Sequence, residues 1–324
     1  MKEQLAELIL RATKANAIIR TTEIQQLWSG YGQILRCELA GGSCPSVIVK
    51  HVQPPNETNH PRGWNTNLSH ERKLKSYQVE MSWYQDLAKQ CDDHCRLPKT
   101  YLLQNQADDI LMIMEDLNAS GFPLRKSDVE LKDVKVCLKW LAHFHAKYMN
   151  VRSDELWSIG TYWHLDTRLD EFNAMQDLEL KAAARQIDET LNLAKYQTLV
   201  HGDAKLANFC FSEDNMRVAG VDFQYVGHSC GMKDVAYLLS SCLHEEDLTH
   251  CESGLLCFYF DALKKALSKY SQPVDFEQIQ QEWSHLYNYA WADFYRFLDG
   301  WNPGHWKMHS YSENIKNKVL KQLS

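Results

Sequence analysis

The segment His201-Gly202-Asp203-Ala204-Lys205-Leu206-Ala207-Asn208-Phe209 is followed, after a short hairpin, by Val221-Asp222-Phe223-Gln224. It sets two carboxylates, a carboxamide and a lysine close together in the chain. Moving a phosphoryl group to an alcohol needs a carboxylate at a loop, to orient and finally deprotonate the hydroxyl. It also needs oxygen ligands from more than one strand end, to hold a divalent cation against a triphosphate. Asp203 is placed for the first task, and Asn208, five positions on, and Asp222 for the second. Lys205 would reach the group in transfer.

Outward from this segment, the chain divides by pattern. Residues 1 to about 20 carry Leu5, Leu8, Ile9, Ala12 and Ala15 at helical spacing, with acids early and Lys14 and Arg20 late, which predicts an amphipathic helix. Three strands then follow, at about Glu23–Trp28, Ile34–Leu39 and Ser46–Val52, joined by glycine turns as an antiparallel meander. Residues 53–69 read as loop, Glu71–Gln90 as a helix, and Leu97–Leu103 and Asp109–Met114 as two more strands. Beyond Asn118 the pattern is mostly helical: Asp128–Tyr148, a run over 166–195, and several aromatic-rich helices from Lys233 onward. A small β patch around residues 197–223 interrupts them. The expected fold class is α+β and bilobal, with a small lobe over 1–117 (an antiparallel sheet plus a helix) and a larger, mostly helical lobe over 118–324.

Composition excludes several classes. The 324 residues are 44% hydrophobic and 24% charged, the balance of a folded globular chain. The net charge of −7 and the lack of a Lys/Arg run argue against nucleic acid as a partner. The longest aliphatic run, Ile110–Met114, is far too short to span a membrane, and Met1-Lys2-Glu3-Gln4-Leu5 opens no apolar leader. A soluble, cytoplasmic protein with no membrane partner is expected, and its ten cysteines are expected to be free thiols. Cys91-Asp92-Asp93-His94-Cys95 lacks a second ligand pair and reads as a polar loop.

His201-Gly202-Asp203-x-x-x-x-Asn208 with Val221-Asp222-Phe223-Gln224 resembles the aminoglycoside phosphotransferase and choline kinase superfamily, relatives of protein kinases that phosphorylate small molecules. Ile113-Met114-Glu115-Asp116-Leu117, Leu141-Ala142-His143-Phe144-His145-Ala146 and Asp234-Val235-Ala236-Tyr237-Leu238-Leu239 bring the resemblance closer to its ecdysteroid-kinase-like branch. It spans about residues 20–240, in the right order throughout.

The resemblance implies a protein-kinase-like fold, ATP and Mg²⁺ as cofactors, and a small-molecule hydroxyl acceptor. It implies Asp203 and Lys205 as catalytic residues and Asn208 and Asp222 as metal ligands. Lys50, closing Val47-Ile48-Val49-Lys50, would hold the α- and β-phosphates, with Glu80 as its ion-pair partner and Glu71 or Glu115 as alternatives. Gly30 and Gly32 fall where a phosphate-covering loop belongs, though a protein kinase has three glycines there. Met114, Glu115 and Leu117 would offer backbone groups to adenine.

Taken singly, each feature has a plainer reading. His-Gly-Asp is also a turn with an N-cap, Lys50 a solvated strand end, Glu80 a surface residue, and Gly30 with Gly32 a hairpin. Their joint order favours the enzyme. A protein kinase is disfavoured because Gly202 replaces Arg and no Ala-Pro-Glu follows Asp222-Phe223. A pseudokinase-type nucleotide-binding module is disfavoured because every catalytic position is filled, and a hydrolase because it leaves Lys50 without a task. His143 and His145 read as packing residues, and Asp234 as an anchor of the catalytic loop or a helix cap. Two aromatic groups, Trp157, Tyr162, Trp163, His164, Asp166 and Arg168, and residues 283–306 around Trp291, are candidate walls for a cationic or sterol-like acceptor, against a plain core-packing role. The sequence names neither the acceptor nor the oligomeric state.

Overall fold

The computed structural model describes residues 3–27, 30–53, 67–106 and 109–324. Trp28, Ser29 and most of the loop expected over 53–69 lie outside the described residues. The chain forms two compact units. The first comprises Met1–Gln90, Leu97–Leu124 and Cys210–Val221; the second comprises Cys91–Arg96, Arg125–Phe209 and Asp222–Ser324.

In the first unit the order is α1 (Glu3–Thr13), β1 (Ala17–Gln26), β2 (Gly32–Ala40), β3 (Ser46–Val52), α2 (Asn67–Ser82), β4 (Thr100–Gln106) and β5 (Asp109–Glu115). The five strands form one sheet in the order β1-β2-β3-β5-β4, every neighbour antiparallel. Period-two alternation puts Leu35, Cys37 and Leu39 of β2, Val47 and Val49 of β3, and Leu111 and Ile113 of β5 on one buried face. Leu5 and Ile9 of α1 pack there.

Three boundaries differ from the sequence pattern. The first helix ends at Thr13 rather than near residue 20, because Lys14 turns into the left-handed region (φ 56°). The β-branched Ile18, Ile19, Thr21 and Thr22 then extend β1 instead. The helix expected to reach Gln90 stops at Ser82, and a π-turn over Trp83–Leu87 buries Trp83 and Tyr84. β4 begins at Thr100, past Pro98, which has no N–H to give a ladder.

The second unit holds α3 (Leu131–Lys147), α4 (Leu169–Ala174), α5 (Leu178–Asn192), β6 (Thr198–Val200), β9 (Gly227–Ser229), α6 (Met232–Cys242), α7 (Glu245–Lys269), α8 (Phe276–Trp301) and α9 (Ser310–Leu323). β7 (Phe209–Phe211) and β8 (Val218–Gly220) pair with each other, and Cys210 and Ala219 join Leu117 and Phe122 in the first unit's second small core. The single helix expected over 166–195 is split. Asp299 accepts the N–H groups of Gln176 (2.8 Å) and Asp177 (3.0 Å), and Asp177 then caps α5 through Leu180 N (2.9 Å). Trp283, Tyr287, Tyr289 and Trp291 are buried, so most of that aromatic stripe is core.

No helix among the described residues is long and apolar enough to cross a membrane. All ten cysteines are free. The Cys91–Cys95 segment is a short turn in which Asp92 accepts His94 N (3.0 Å).

Candidate active site

β6 delivers the chain to His201, where a buried carboxylate pins the loop. Asp234, in the first turn of α6 and fully buried, accepts His201 N–H (2.6 Å) and Gly202 N–H (3.0 Å). It also lies 3.1 Å from His145 Nε2, whose Nδ1 is 2.8 Å from the Tyr259 hydroxyl. His145 is thus a packing and hydrogen-bonding residue, and Asp234 anchors the loop. Gly202 has φ +78°, and a Cβ there would lie 2.0 Å from Tyr225 O. Only glycine fits between the anchored His201 and Asp203.

Asp203 and its neighbours form one network. Asp203 Oδ2 accepts Lys205 Nζ (2.9 Å) and Asn208 Nδ2 (3.1 Å), and Asn208 Nδ2 also donates to Asp203 O (2.8 Å). With its amino group spent on Asp203, the Asn208 side chain has its carbonyl oxygen left to ligate. Burial lowers the Lys205 amine's pKa, but the carboxylates of Asp203 and then Asp222 outweigh it, and the net shift is upward. The Tyr237 hydroxyl reaches Asp203 and Tyr162. Burial, then these neighbours, push its pKa well above the ordinary tyrosine value.

Asp222 sits at φ 68°, a conformation that costs a non-glycine residue on the order of 1 kcal/mol. The next residue holds it there. Phe223 is fully buried, with its ring centroid 4.5 Å from that of His201 and its ring packed at a tilt against Trp140 and Phe144. Gln224 Nε2 donates to Asp222 Oδ1 (2.7 Å).

In the first unit, Lys50 Nζ lies 2.5 Å from Glu80 Oε2, with both side chains buried. Glu115 instead takes Lys99 N–H on its Oε2 (2.9 Å). Gly30 (φ +74°) and Gly32 (φ +132°) flank buried Tyr31. A Cβ at Gly30 would meet nothing, whereas one at Gly32 would lie 2.0 Å from His51 O. Met114 is paired within the sheet, opposite Ile48 and Thr100. Two of the backbone groups expected to face adenine are already engaged: Glu115 N–H donates to Lys99 O (2.8 Å), and Leu117 O accepts Ser120 and Phe122 N–H. The Leu117 N–H has no hydrogen-bond partner among the described residues. Asp116 between them is clamped by Arg36 (2.7 and 3.1 Å) and Ser46 (2.7 Å).

Residues 40–162 and 158–272 match the model of the ecdysteroid kinase-like family, well over half the chain. The chain belongs to the ecdysteroid kinase-like family. Among solved structures, this family member is similar to an amicoumacin kinase in complex with AMP-PNP, Ca²⁺ and Ami, with 14% identity, TM-score 0.58, and 100% of this chain and 98% of that one covered. It is also similar to a choline kinase from Cryptosporidium parvum Iowa II, with 10% identity, TM-score 0.54, and 99% and 95% covered. At these identities the likeness is one of fold, and the fold is the kinase-like one. No curated protein matches the chain. Family and fold together place it among the small-molecule kinases.

Two residues near Asp203 escape sequence reasoning. Tyr237 hides inside the apolar run of α6. Lys307, a lone lysine in the loop between α8 and α9, carries no motif; only the density of aromatic residues around it hints at its setting.

Proposed function

We propose that this kinase transfers the γ-phosphate of ATP, with Mg²⁺, to a hydroxyl of a small molecule. The observation that carries the reading is the Asp203 network. A loop pinned by Asp234 presents one carboxylate, buried but for a 6% exposed edge, to Lys205 and Asn208. Asp203 would accept the acceptor's hydroxyl proton on its carboxylate as the P–O bond forms, after orienting the oxygen for attack. Lys205, kept protonated, would balance charge on the transferred group. Mg²⁺ supplies charge neutralisation on the triphosphate, and the donor set fits it: the Asp222 carboxylate and the free carbonyl oxygen of Asn208 are hard oxygen ligands. Lys50, oriented by Glu80, would bind the α- and β-phosphates, Gly30 and Gly32 would let backbone approach them, and the Leu117 N–H would serve adenine.

The test is thermal stability of the purified protein with ATP plus Mg²⁺, with ATP plus EDTA, and with GTP plus Mg²⁺. A nucleotide at 100 times its Kd adds about 2.7 kcal/mol. A metal-dependent upward shift with ATP is the expected result. No shift with any nucleotide would remove the nucleotide half of the reading.

A further inference from the structure

Lys307 is 9% exposed. Its Nζ lies over three aromatic rings, 4.8 Å from the centroid of Tyr237, 5.2 Å from Phe294 and 5.7 Å from Trp306. Among the described residues it has neither an ion pair nor a hydrogen bond at Nζ, although burying an ammonium without a counter-charge is costly. The burial does depress its pKa, and the field of Asp203 pulls it back up. Tyr237 links the two sites, with its ring under Lys307 and its hydroxyl at Asp203. Trp306, on the outer side, is 50% exposed, an unusual exposure for so large an apolar ring.

Aromatic faces bind ammonium groups, and of the residues the sequence pattern offered as a wall for a cationic or sterol-like acceptor, Trp306 is one of the three rings here. In the structure the chain's own ammonium already lies over the faces of Tyr237, Phe294 and Trp306. A cationic alcohol brought to Asp203 would meet the ammonium of Lys307 as well, a like charge that no carboxylate among the described residues pairs, whereas the Lys205 charge is already balanced by Asp203 (2.9 Å). An alcohol bearing an oxyanion would supply the counter-charge that Lys307 lacks.

We propose that Lys307, framed by Tyr237, Phe294 and Trp306, is an oxyanion subsite beside Asp203, and that the acceptor is an alcohol carrying a carboxylate, sulfate or phosphate ester rather than an ammonium. The proposal rests on the kinase reading and adds the acceptor's charge class. An oxyanion could also be the nucleotide's own phosphate, so the test separates the two.

The purified protein with Mg·ATP would be assayed by ADP release, with calorimetric Kd as the second measurement. The probes are 3-hydroxypropanoate, choline, and choline's uncharged isostere 3,3-dimethylbutan-1-ol. The wild type should favour 3-hydroxypropanoate over choline by about tenfold or more, in kcat/KM or in Kd. Lys307→Met puts an apolar chain of similar length among the three rings, so it should fold. It should lose that preference by about tenfold, through the acceptor KM, while Lys307→Arg should keep it. Equal or better binding of choline in the wild type overturns the proposal, as does no detectable binding of 3-hydroxypropanoate. A Lys307→Met variant whose KM for ATP rises while its acceptor constants hold assigns the lysine to the nucleotide, and also overturns it. Failure of the kinase reading itself would show separately, as a wild type whose stability does not respond to Mg·ATP.

Discussion

Asp203 is held by more partners than a surface turn needs, and the role proposed for it differs from the one proposed for Asp222. Asp203 faces Lys205 and Asn208; Asp222 sits in a strained backbone position with Gln224 on one oxygen. Asp203→Asn keeps the shape and removes the base, so kcat should fall by about 10²–10⁴ while the Mg·ATP stability shift persists. Asp222→Ala should abolish the shift itself. Single-turnover kinetics and melting curves on the two variants decide it, and equal full activity in both would refute the division of roles. This part of the site is legible in the sequence because it is local: Asp203, Lys205 and Asn208 share one loop, where spacing determines proximity. Lys307 is not legible, because more than a hundred residues separate it from Asp203 and only tertiary packing adds Tyr237 and Phe294 to the neighbouring Trp306.

At the scale of elements, close approach and burial set the outcome. β2 begins at Gly32, opposite Val52, and a methyl group there would overlap the His51 carbonyl at 2.0 Å in a left-handed conformation. Gly32→Ala should therefore cost about 2 kcal/mol or more in urea unfolding; a change within error would show that the turn can relax. In the second unit, α3 carries His143, stacked on His94 (4.5 Å between ring centroids) and 3.3 Å from the Tyr270 hydroxyl. Burial first, then the charge of His94, lowers its pKa to about 4, with Lys139 and Lys269 adding to the effect and Asp92 opposing it. The folded value lies below the unfolded one, so between about pH 6.5 and pH 4 the unfolded chain binds a proton that the folded chain refuses, and stability falls as the pH falls. The loss should be roughly 2 kcal/mol by pH 4.5, allowing for residual solvent screening. His143→Gln should flatten that part of the stability–pH profile; an unchanged slope would assign the acid sensitivity elsewhere. Periodicity located the first helix and the helical run over 166–195, but not their ends. The break at Lys14 and the split at Gln176–Asp177 depend on backbone dihedrals and on a distant carboxylate, Asp299, neither of which leaves a periodic trace.

At the scale of the whole molecule, the chain order and the packing order differ. The order of strands and helices is readable because alternation and helical spacing are local, and it suffices for a kinase-like fold. Nothing in local spacing announces that Cys210–Val221, just past the His201–Asn208 loop, joins the first unit. There Cys210 and Ala219 complete a small core with Leu117 and Phe122, and Leu124 pairs antiparallel with Phe211 through reciprocal hydrogen bonds of 3.1 and 2.9 Å. A fragment ending at residue 124 would expose Leu117 and Phe122 and leave the Leu124 backbone unpaired, so it should bind a hydrophobic dye and melt without a cooperative transition. The antiparallel pairing places residue 126 beside residue 209, a span that a hairpin turn of about two to four residues closes. Joining 1–126 to 209–222 by such a turn should therefore restore a cooperative melt and suppress dye binding. If the short fragment melts cooperatively on its own, the sheet and α1 carry the unit without the borrowed hairpin. If the joined fragment stays molten, the unit needs more of the chain than its own contacts account for.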